Sequence, residues 1–386
     1  MNDLVEKLHH RFRKTFGEEP LMVRSPGRIN LIGEHTDYNE GFVLPAAVDK
    51  AIYFAVAPRS DHHCHLVAMD LEASFQFGLS DLEPSPRGWP NYIMGVVDQL
   101  QKAGGRLWGF NCMFGGDIPI AAGLASSAAI EAGLAFALNE LFQLGFSLSE
   151  IARMAMQAEN EFVGVQCGIM DQLANVYGRA DRFIHLDCRS LDFDYVPFSD
   201  QPAEIVLCDT QISRELSASE YNLRRRQCEE GVRFFQQFFT TVHSLRDVTL
   251  DMLESYRQRM DPVIYQRCLY VLQENDRVMG AVRDLRNGDL ESLGIRLLES
   301  HMGLRDMFEV SCPSLDALVE AASRVEGVYG ARMMGAGFGG CTINLVHPDA
   351  LPVFQQTMSD TFQKRLKKPP LLYRVKIEEG TSVISM

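Results

Sequence analysis

Basic residues are in short supply in this chain. Lys and Arg number 37 against 51 Asp and Glu, a formal net charge of −14 over 386 residues. That balance argues against a nucleic-acid or membrane surface as the partner. It is no obstacle to a small anionic ligand, which responds to local charge. Long apolar runs are also missing, and the longest fall well short of a membrane span. The opening residues, MNDLVEKLHHRFRKTFG, contain no apolar signal core, and Asp3 and Glu6 count against a transit peptide. The nine cysteines are odd in number, scattered and without a CxxC pair, so a reducing, cytoplasmic compartment is expected. Internal repeats, low-complexity tracts and Pro-rich linkers are absent too. What remains is an ordinary globular composition, 46% hydrophobic, with enough chain for two domains.

The organising stretch runs from Gly115 to Leu141. Phe110, Cys112 and Phe114 ahead of it alternate as in a half-buried strand. Ala129, Ile130, Gly133, Leu134, Ala137, Leu138 and Leu141 recur at helical spacing. Between them lies a run of small residues interrupted only by Leu124. Such a helix start leaves backbone N–H groups unpaired at the positive end of the helix dipole, which makes an anion site. Ser126 or Ser127 can cap this helix or offer a hydroxyl to a metal ion. The loop lacks the Lys of GxxxxGK[ST] and does not match GxGxxG. A triphosphate there must be held mainly by main chain, with counter-charge from elsewhere. The plainer reading is a small-residue turn that merely packs tightly.

Elsewhere the signals are individually weaker. Leu4, Leu8 and Phe12 predict a docked surface helix. Leu21-Met22-Val23 reads as a strand, Pro26-Gly27 as a turn, and Ile29 to Ile32 as a second apolar run. The polar cluster Gly33 to Asn39 follows. Glu34 and Asp37 can each accept two hydroxyl hydrogen bonds, which suits a polyol, and Glu, His and Asp are also metal-ligand types, although the segment alone favours a polar surface turn. His62-His63-Cys64-His65 contains metal-ligand types, but alternation in a strand splits them between two faces. Ser147 and Glu150 form a capping box. Glu159 sits at the edge of the following apolar stripe, as a rim ion pair or a metal ligand. A helix from Ile169 to Tyr177, with Gly178 as its C-cap, carries Asp171 opposite its apolar face. Asp171 can be a simple first-turn acid, or a base aimed into a cleft. Short strands are expected between 182 and 207, then a helix from about Ser219 whose Arg224-Arg225-Arg226 forms a solvated face. Residues 250 to 326 read as largely helical. Arg332 to Gly340 is a second glycine-rich loop, ahead of a strand from Cys341 to Val346.

Taken in order, three segments resemble the GHMP small-molecule kinases and, within them, the galactokinases. They are Arg24 to Pro45 (RSPGRINLIGEHTDYNEGFVLP), Gly116 to Glu131, and Arg332 to Cys341. Cys167 to Gln172 (CGIMDQ), Ser219 to Glu229 (SEYNLRRRQCE), Val310 to Leu315 (VSCPSL), and Trp89, Asn91 and Tyr92 match further. The pattern alone gives a mixed α/β chain of two lobes. The resemblance implies an α+β fold with mixed and antiparallel sheets, lobes at 1–205 and 206–386, and an active site in the cleft between them.

It implies ATP-dependent phosphorylation of the C1 hydroxyl of α-D-galactose. By position, Asp171 is then the base and Arg28 the neighbouring cation. Glu34, His35, Asp37, Gly168 and Tyr221 match sugar contacts. Ile120, Ala121, Ala122, Gly123, Leu124, Ala125, Ser126, Ser127 and Ala128 wrap the ATP phosphates. Ser127 and Glu159 match ligands of a magnesium ion, which supplies the counter-charge the loop lacks. Alternatives are another sugar, such as arabinose or a galactosamine derivative, or a sugar- and ATP-binding regulator without turnover. Oligomeric state stays open. The chain departs from the family pattern at Ala121, Ala125, Gln166 and Met334. The last, in place of a Thr, puts contacts near the third loop in question.

Overall fold

The computed structural model describes residues 3–80, 82–119, 123–198, 202–212 and 217–386. Helix α1 (Asp3–Phe16) precedes strands β1 (Leu21–Asn30), β2 (Phe42–Val43), β3 (Pro45–Pro58), β4 (His63–Ala68) and β5 (Ala73–Gly78). Helix α2 (Pro90–Lys102) and strand β6 (Phe110–Gly116) lead to helices α3 (Ser126–Phe142), α4 (Leu148–Gln157) and α5 (Met170–Tyr177). Strands β7 (Arg182–Asp187), β8 (Phe193–Pro197) and β9 (Glu204–Asp209) follow. Helices α6 (Ser217–Gln236), α7 (Leu250–Tyr256), α8 (Pro262–Asn287), α9 (Leu290–Asp306) and α10 (Pro313–Ala322) come next. The chain closes with β10 (Val328–Met333), β11 (Cys341–Val346), α11 (Leu351–Thr361), β12 (Leu372–Val375) and β13 (Ser382–Val383).

Strand β3 is an unbroken apolar run because both its faces are covered. Tyr53, Ala55 and Ala57 pack with Val5, Leu8 and Phe12 of α1. Ile52, Phe54 and Val56 point the other way, into the main core with α2, α3 and α5. The sheet runs β13-β1-β3-β6-β4-β5, antiparallel except where β4 pairs with β6. A second sheet, β10-β11-β9-β12, and a third, β2-β7-β8, are antiparallel throughout. In the second sheet Val206 and Val346 face α10 and α11, while Leu207, Ile343 and Leu345 join the main core with Val278 of α8 and Leu293 of α9. The division expected at 205/206 falls inside β9. The end of the chain returns to the first sheet, where Val383 pairs with Val23.

Several local expectations hold, and others need correction. The Ser147–Glu150 capping box is formed, and Leu8 and Phe12 are buried under α1. Strand β4 sends His63 to solvent and Cys64 to the core, and His62 stacks on Trp108 at 5.3 Å. Pro26-Gly27, in contrast, does not turn the chain. Strand β1 continues through it, and the register slips from Pro26↔Ala51 to Arg28↔Ala47. The extra residues of β3 are taken up by a bridge from Val48 to Ile377. Gly178 ends α5 with φ −48°, so it is not a left-handed cap. A Cβ there would lie 2.3 Å from that of Ala47, and close packing requires the glycine. Arg224 is buried rather than solvated. Its Nε and Nη2 donate to the carbonyls of Phe308 and Glu309 at 2.7 and 2.8 Å, which the end of α9 leaves without helical partners.

The lobes are joined by Arg332, which is wholly buried. Its Nε donates to Leu31 O (2.7 Å), Nη1 to Met333 O (2.7 Å), and Nη2 to Asn30 O (2.8 Å) and Glu34 Oε1 (2.9 Å). A guanidinium so fully engaged can be buried, but removing it strands the Glu34 charge. Arg332→Met is therefore expected to cost roughly 3–5 kcal/mol of stability, read as a lowered thermal or denaturant midpoint. An unchanged midpoint contradicts this role.

Candidate active site

The loop that opens α3 is tied to β1 at three points. A Cβ on Gly27 would lie 2.8 Å from Leu124 O, so the loop can approach only because this residue is glycine. Arg28 N donates to the same carbonyl at 3.0 Å, and Arg28 Nη1 donates to Gly123 O at 2.6 Å. The loop enters α3 through Ala125 in the left-handed conformation (φ 54°). Neither Ser126 nor Ser127 caps the helix. Both lie inside its first turn and line the cleft with the unpaired N–H donors of a helix start.

Arg28 also holds the candidate base. Its Nε and Nη2 donate to Asp171 Oδ1 and Oδ2 at 2.7 and 2.8 Å, a bidentate pair. Burial disfavours the Arg28 charge, but Asp171 and Glu34 outweigh it and raise its pKa. Asp171 is one-quarter exposed and projects from the first turn of α5, where the helix dipole favours an anion. One turn further on, Asn175 pins α5 to β1. Its Nδ2 donates to Pro26 O (2.5 Å) and Ser25 Oγ (2.9 Å), while Ser25 Oγ donates to Ala129 O of α3 (2.7 Å). One residue pair thus sets both helices whose starts face the cleft.

The polar cluster after β1 forms the opposite wall. Glu34 is buried, and its Oε1 accepts from Arg332 Nη2 and from Gly335 N (2.8 Å). Burial opposes its charge, yet Arg332 and Arg28 keep its pKa low. His35 shares hydrogen bonds with Tyr38 Oη (2.8 Å, Nδ1) and Ala336 O (3.2 Å, Nε2), and burial pushes its pKa down to about 4. Its ring is neutral, with both nitrogens engaged. Tyr221 lies against it at 5.2 Å. Gly168 is packed on Asp37, where a Cβ would come within 2.2 Å of Oδ2. Burial and the Asp171 charge push the Asp37 carboxyl up to about 7.

An acidic corner adjoins the loop. Glu159 is buried, hydrogen-bonded to Ser127, and accepts from Gln172 Nε2 at 3.1 Å. It belongs to the π-helical segment Ala158–Val163 that extends α4. Burial and Asp171 raise its pKa. Beside it Glu131 is wholly buried, with Glu159 and Gln172 as its polar neighbours. Burial and Glu159 raise its pKa well above the carboxylate range. This corner is short of positive charge, because Arg28 is committed to Asp171, so its chemistry fits a divalent cation. No cluster of three metal-ligating side chains occurs among the described residues. Magnesium does not need one, since it commonly takes one or two carboxylates and completes its shell with phosphate and water.

One cleft of about 330 Å³ is lined by Arg28, Glu34, His35, Asp37, Gly123, Leu124, Ala125, Ser126, Ser127, Glu159, Gly168, Asp171 and Tyr221. Ala128 is buried in α3 and does not line it. Ile120, Ala121 and Ala122 lie outside the described residues. Met334 is wholly buried in the main core and does not itself line the cleft, although Gly335 and Ala336, which follow it, do. Sequence reasoning passed over Glu131 and the role of Arg332. A charged residue one turn after Ser127 in an otherwise apolar helix was a readable signal for the first.

Three family models match. They are the galactokinase galactose-binding signature at residues 10–58, the GHMP kinases N terminal domain at 91–179, and the GHMP kinases C terminal domain at 281–364. A galactokinase from Roseiflexus sp. (strain RS-1) is 41% identical over 97% of this chain and 96% of its own length. The crystal structure of Lactococcus lactis galactokinase complexed with galactose superposes with a TM-score of 0.95 at 33% identity, covering 99% of this chain and all of that one. Mevalonate kinase from Methanococcus jannaschii shares the fold, with a TM-score of 0.64 at 17% identity over 94% of this chain and 99% of its own.

Asp37 generates a pH prediction. Its folded-state pKa, about 7, lies above the unfolded value near 4. The unfolded chain therefore releases this proton first, and stability falls as pH rises from about 4 to about 7, then levels. Asp37→Asn removes that slope. The variant is expected to gain stability relative to the parent at pH 8, with the gain shrinking at pH 5. Denaturation at both values checks this, and an equal difference at the two contradicts it.

Proposed function

From the premise that the chain belongs to the galactokinases, a branch of the GHMP kinases, we propose how this galactose kinase works with ATP. The phosphoryl group goes to the C1 hydroxyl of α-D-galactose, with Asp171 as base and Arg28 beside it. The observation that carries this reading is the double engagement of Arg28. One guanidinium holds the Asp171 carboxylate and the Gly123 carbonyl of the phosphate loop, so acceptor and donor sites share one corner.

Phosphoryl transfer depends on positioning and charge stabilisation more than on covalent chemistry. The loop and the first turn of α3 offer N–H donors to the ATP phosphates. Asp171 accepts the proton of the attacking hydroxyl, and Arg28 orients that carboxylate and offsets charge on the moving group. Glu34, Asp37, Gly168, His35 and Tyr221 form the sugar wall. With its ring nitrogens engaged, His35 acts by shape and by holding Tyr38 and Ala336. Ser127 and Glu159 would hold magnesium, with Glu131 close behind. That ion, when bound, neutralises phosphate charge.

We further propose a division of the chain near residue 205, with the last strand returning to the first lobe, and a cytoplasmic setting. None of the nine cysteines forms a disulfide, and no helix among the described residues is long and apolar enough to cross a membrane.

An ADP-release assay over a panel of galactose, arabinose and galactosamine derivatives tests the reading. Turnover on galactose is expected to dominate. Preference for another sugar, or binding without turnover, overturns it. Asp171→Asn is expected to abolish turnover while sugar binding persists, and near-normal activity refutes the base. Glu34→Ala is expected to weaken galactose binding roughly tenfold or more, as loss of a charged hydrogen-bonding group does. Unchanged affinity shows that Glu34 serves only the fold.

A further inference from the structure

The sugar wall is the segment from Gly33 to Phe42, and one face of α8 holds both of its ends. Glu274 is wholly buried, and its Oε1 accepts from Gly33 N at 3.0 Å and from Ser300 Oγ at 2.6 Å. Its Oε2 accepts from Arg277 Nε at 2.6 Å. The next residue, Asn275, presents Oδ1 to Phe42 N at 2.9 Å. One turn earlier on α8, Tyr270 Oη donates to Glu34 O at 2.9 Å, and its ring packs on Phe308, which packs on His35. Helical spacing puts residues 270 and 274 on one side, and 275 lies about a quarter turn further round.

The segment has little room to shift. A Cβ on Gly33 (φ +98°) would lie 2.7 Å from Phe42 O and 2.9 Å from Val278 of α8. A Cβ on Gly41 would lie 2.3 Å from Asn275 Oδ1. The two backbone N–H groups that open and close the segment are therefore both spent on α8, while its side chains Glu34, His35 and Asp37 face the cleft. None of the α8 residues lines the cleft, so their effect on substrate passes through the segment.

We propose that Glu274 and Asn275 are positioning residues for the sugar. They clamp the two ends of the wall and fix the register in which Glu34 and Asp37 meet the hydroxyls. This rests on the sugar wall assigned above. The ATP side is held separately, by β1 through Arg28 and Gly27, so the clamp acts on sugar affinity and leaves the nucleotide untouched.

The test compares steady-state kinetics of the parent, Asn275→Ala, Asn275→Asp and Glu274→Ala with galactose and MgATP. Asn275→Ala and Glu274→Ala, which each remove the acceptor, are expected to raise the galactose KM about tenfold, the scale of one lost hydrogen bond in a buried setting. The KM for ATP should stay within about twofold. Asn275→Asp retains the acceptor oxygen and is expected to recover most of the galactose affinity. Equal changes in both KM values, an unchanged galactose KM, or failure of Asn275→Asp to recover beyond Asn275→Ala overturns the clamp. Lack of galactose turnover by the parent overturns the functional reading instead. Hydrogen exchange on the parent decides the matter even if the variants do not fold. The Gly33 and Phe42 amides are expected to exchange slowly without galactose, and rapid exchange at both overturns the proposal.

Discussion

The site depends on the charge pair between Arg28 and Asp171. The Asp171 carboxylate, which points into the cleft, is met at both oxygens by one guanidinium. The same guanidinium reaches the carbonyl of Gly123. A single side chain therefore ties Asp171 to the loop that opens α3. For that reason Gly27 has no room for a side chain, and β1 absorbs a register slip beside it. For the same reason Asn175 and Ser25 fasten α3 and α5 to one stretch of β1.

Around this pair, charge is distributed by sign. The wall that follows β1 has Arg332 behind Glu34, which keeps the pKa of that carboxylate low although it is buried. The corner at Ser127 has the opposite character. Glu131 and Glu159 crowd there with no cation of their own, a state that is costly unless a proton or a metal ion enters. The chain thus carries two buried acidic sites with different solutions. One is neutralised by a guanidinium of the fold, and at the other burial and mutual repulsion favour the protonated form.

Much of this was readable in local strings. Arg28, Glu34 and Asp37 lie in one short segment, Ser127 at a helix start, and Asp171 on the polar face of a short helix. All but Arg28, expected at a turn and found within β1, could be placed from periodicity and family resemblance. Less readable were partnerships between distant positions. Nothing local to Arg332, Glu274 or Asn275 says that each binds the backbone or a carboxylate near residues 30–42. Arg224 looked solvated because it sits among other arginines, yet the carbonyls after α9 draw it inward. Pro26-Gly27 carries a turn signal, but sheet pairing on both sides overrides it and leaves a bulge. Burial of Glu131 follows from the packing of α3 against its neighbours, which composition does not encode.

The most direct measurement is a crystal structure of the chain with galactose, magnesium and a non-hydrolysable ATP analogue. The account predicts the C1 hydroxyl within hydrogen-bond reach of the Asp171 carboxylate. It also places the terminal phosphate between Arg28 and the first turn of α3. A sugar seated with C1 turned away from Asp171, or a terminal phosphate out of reach of both Arg28 and Ser127, contradicts it.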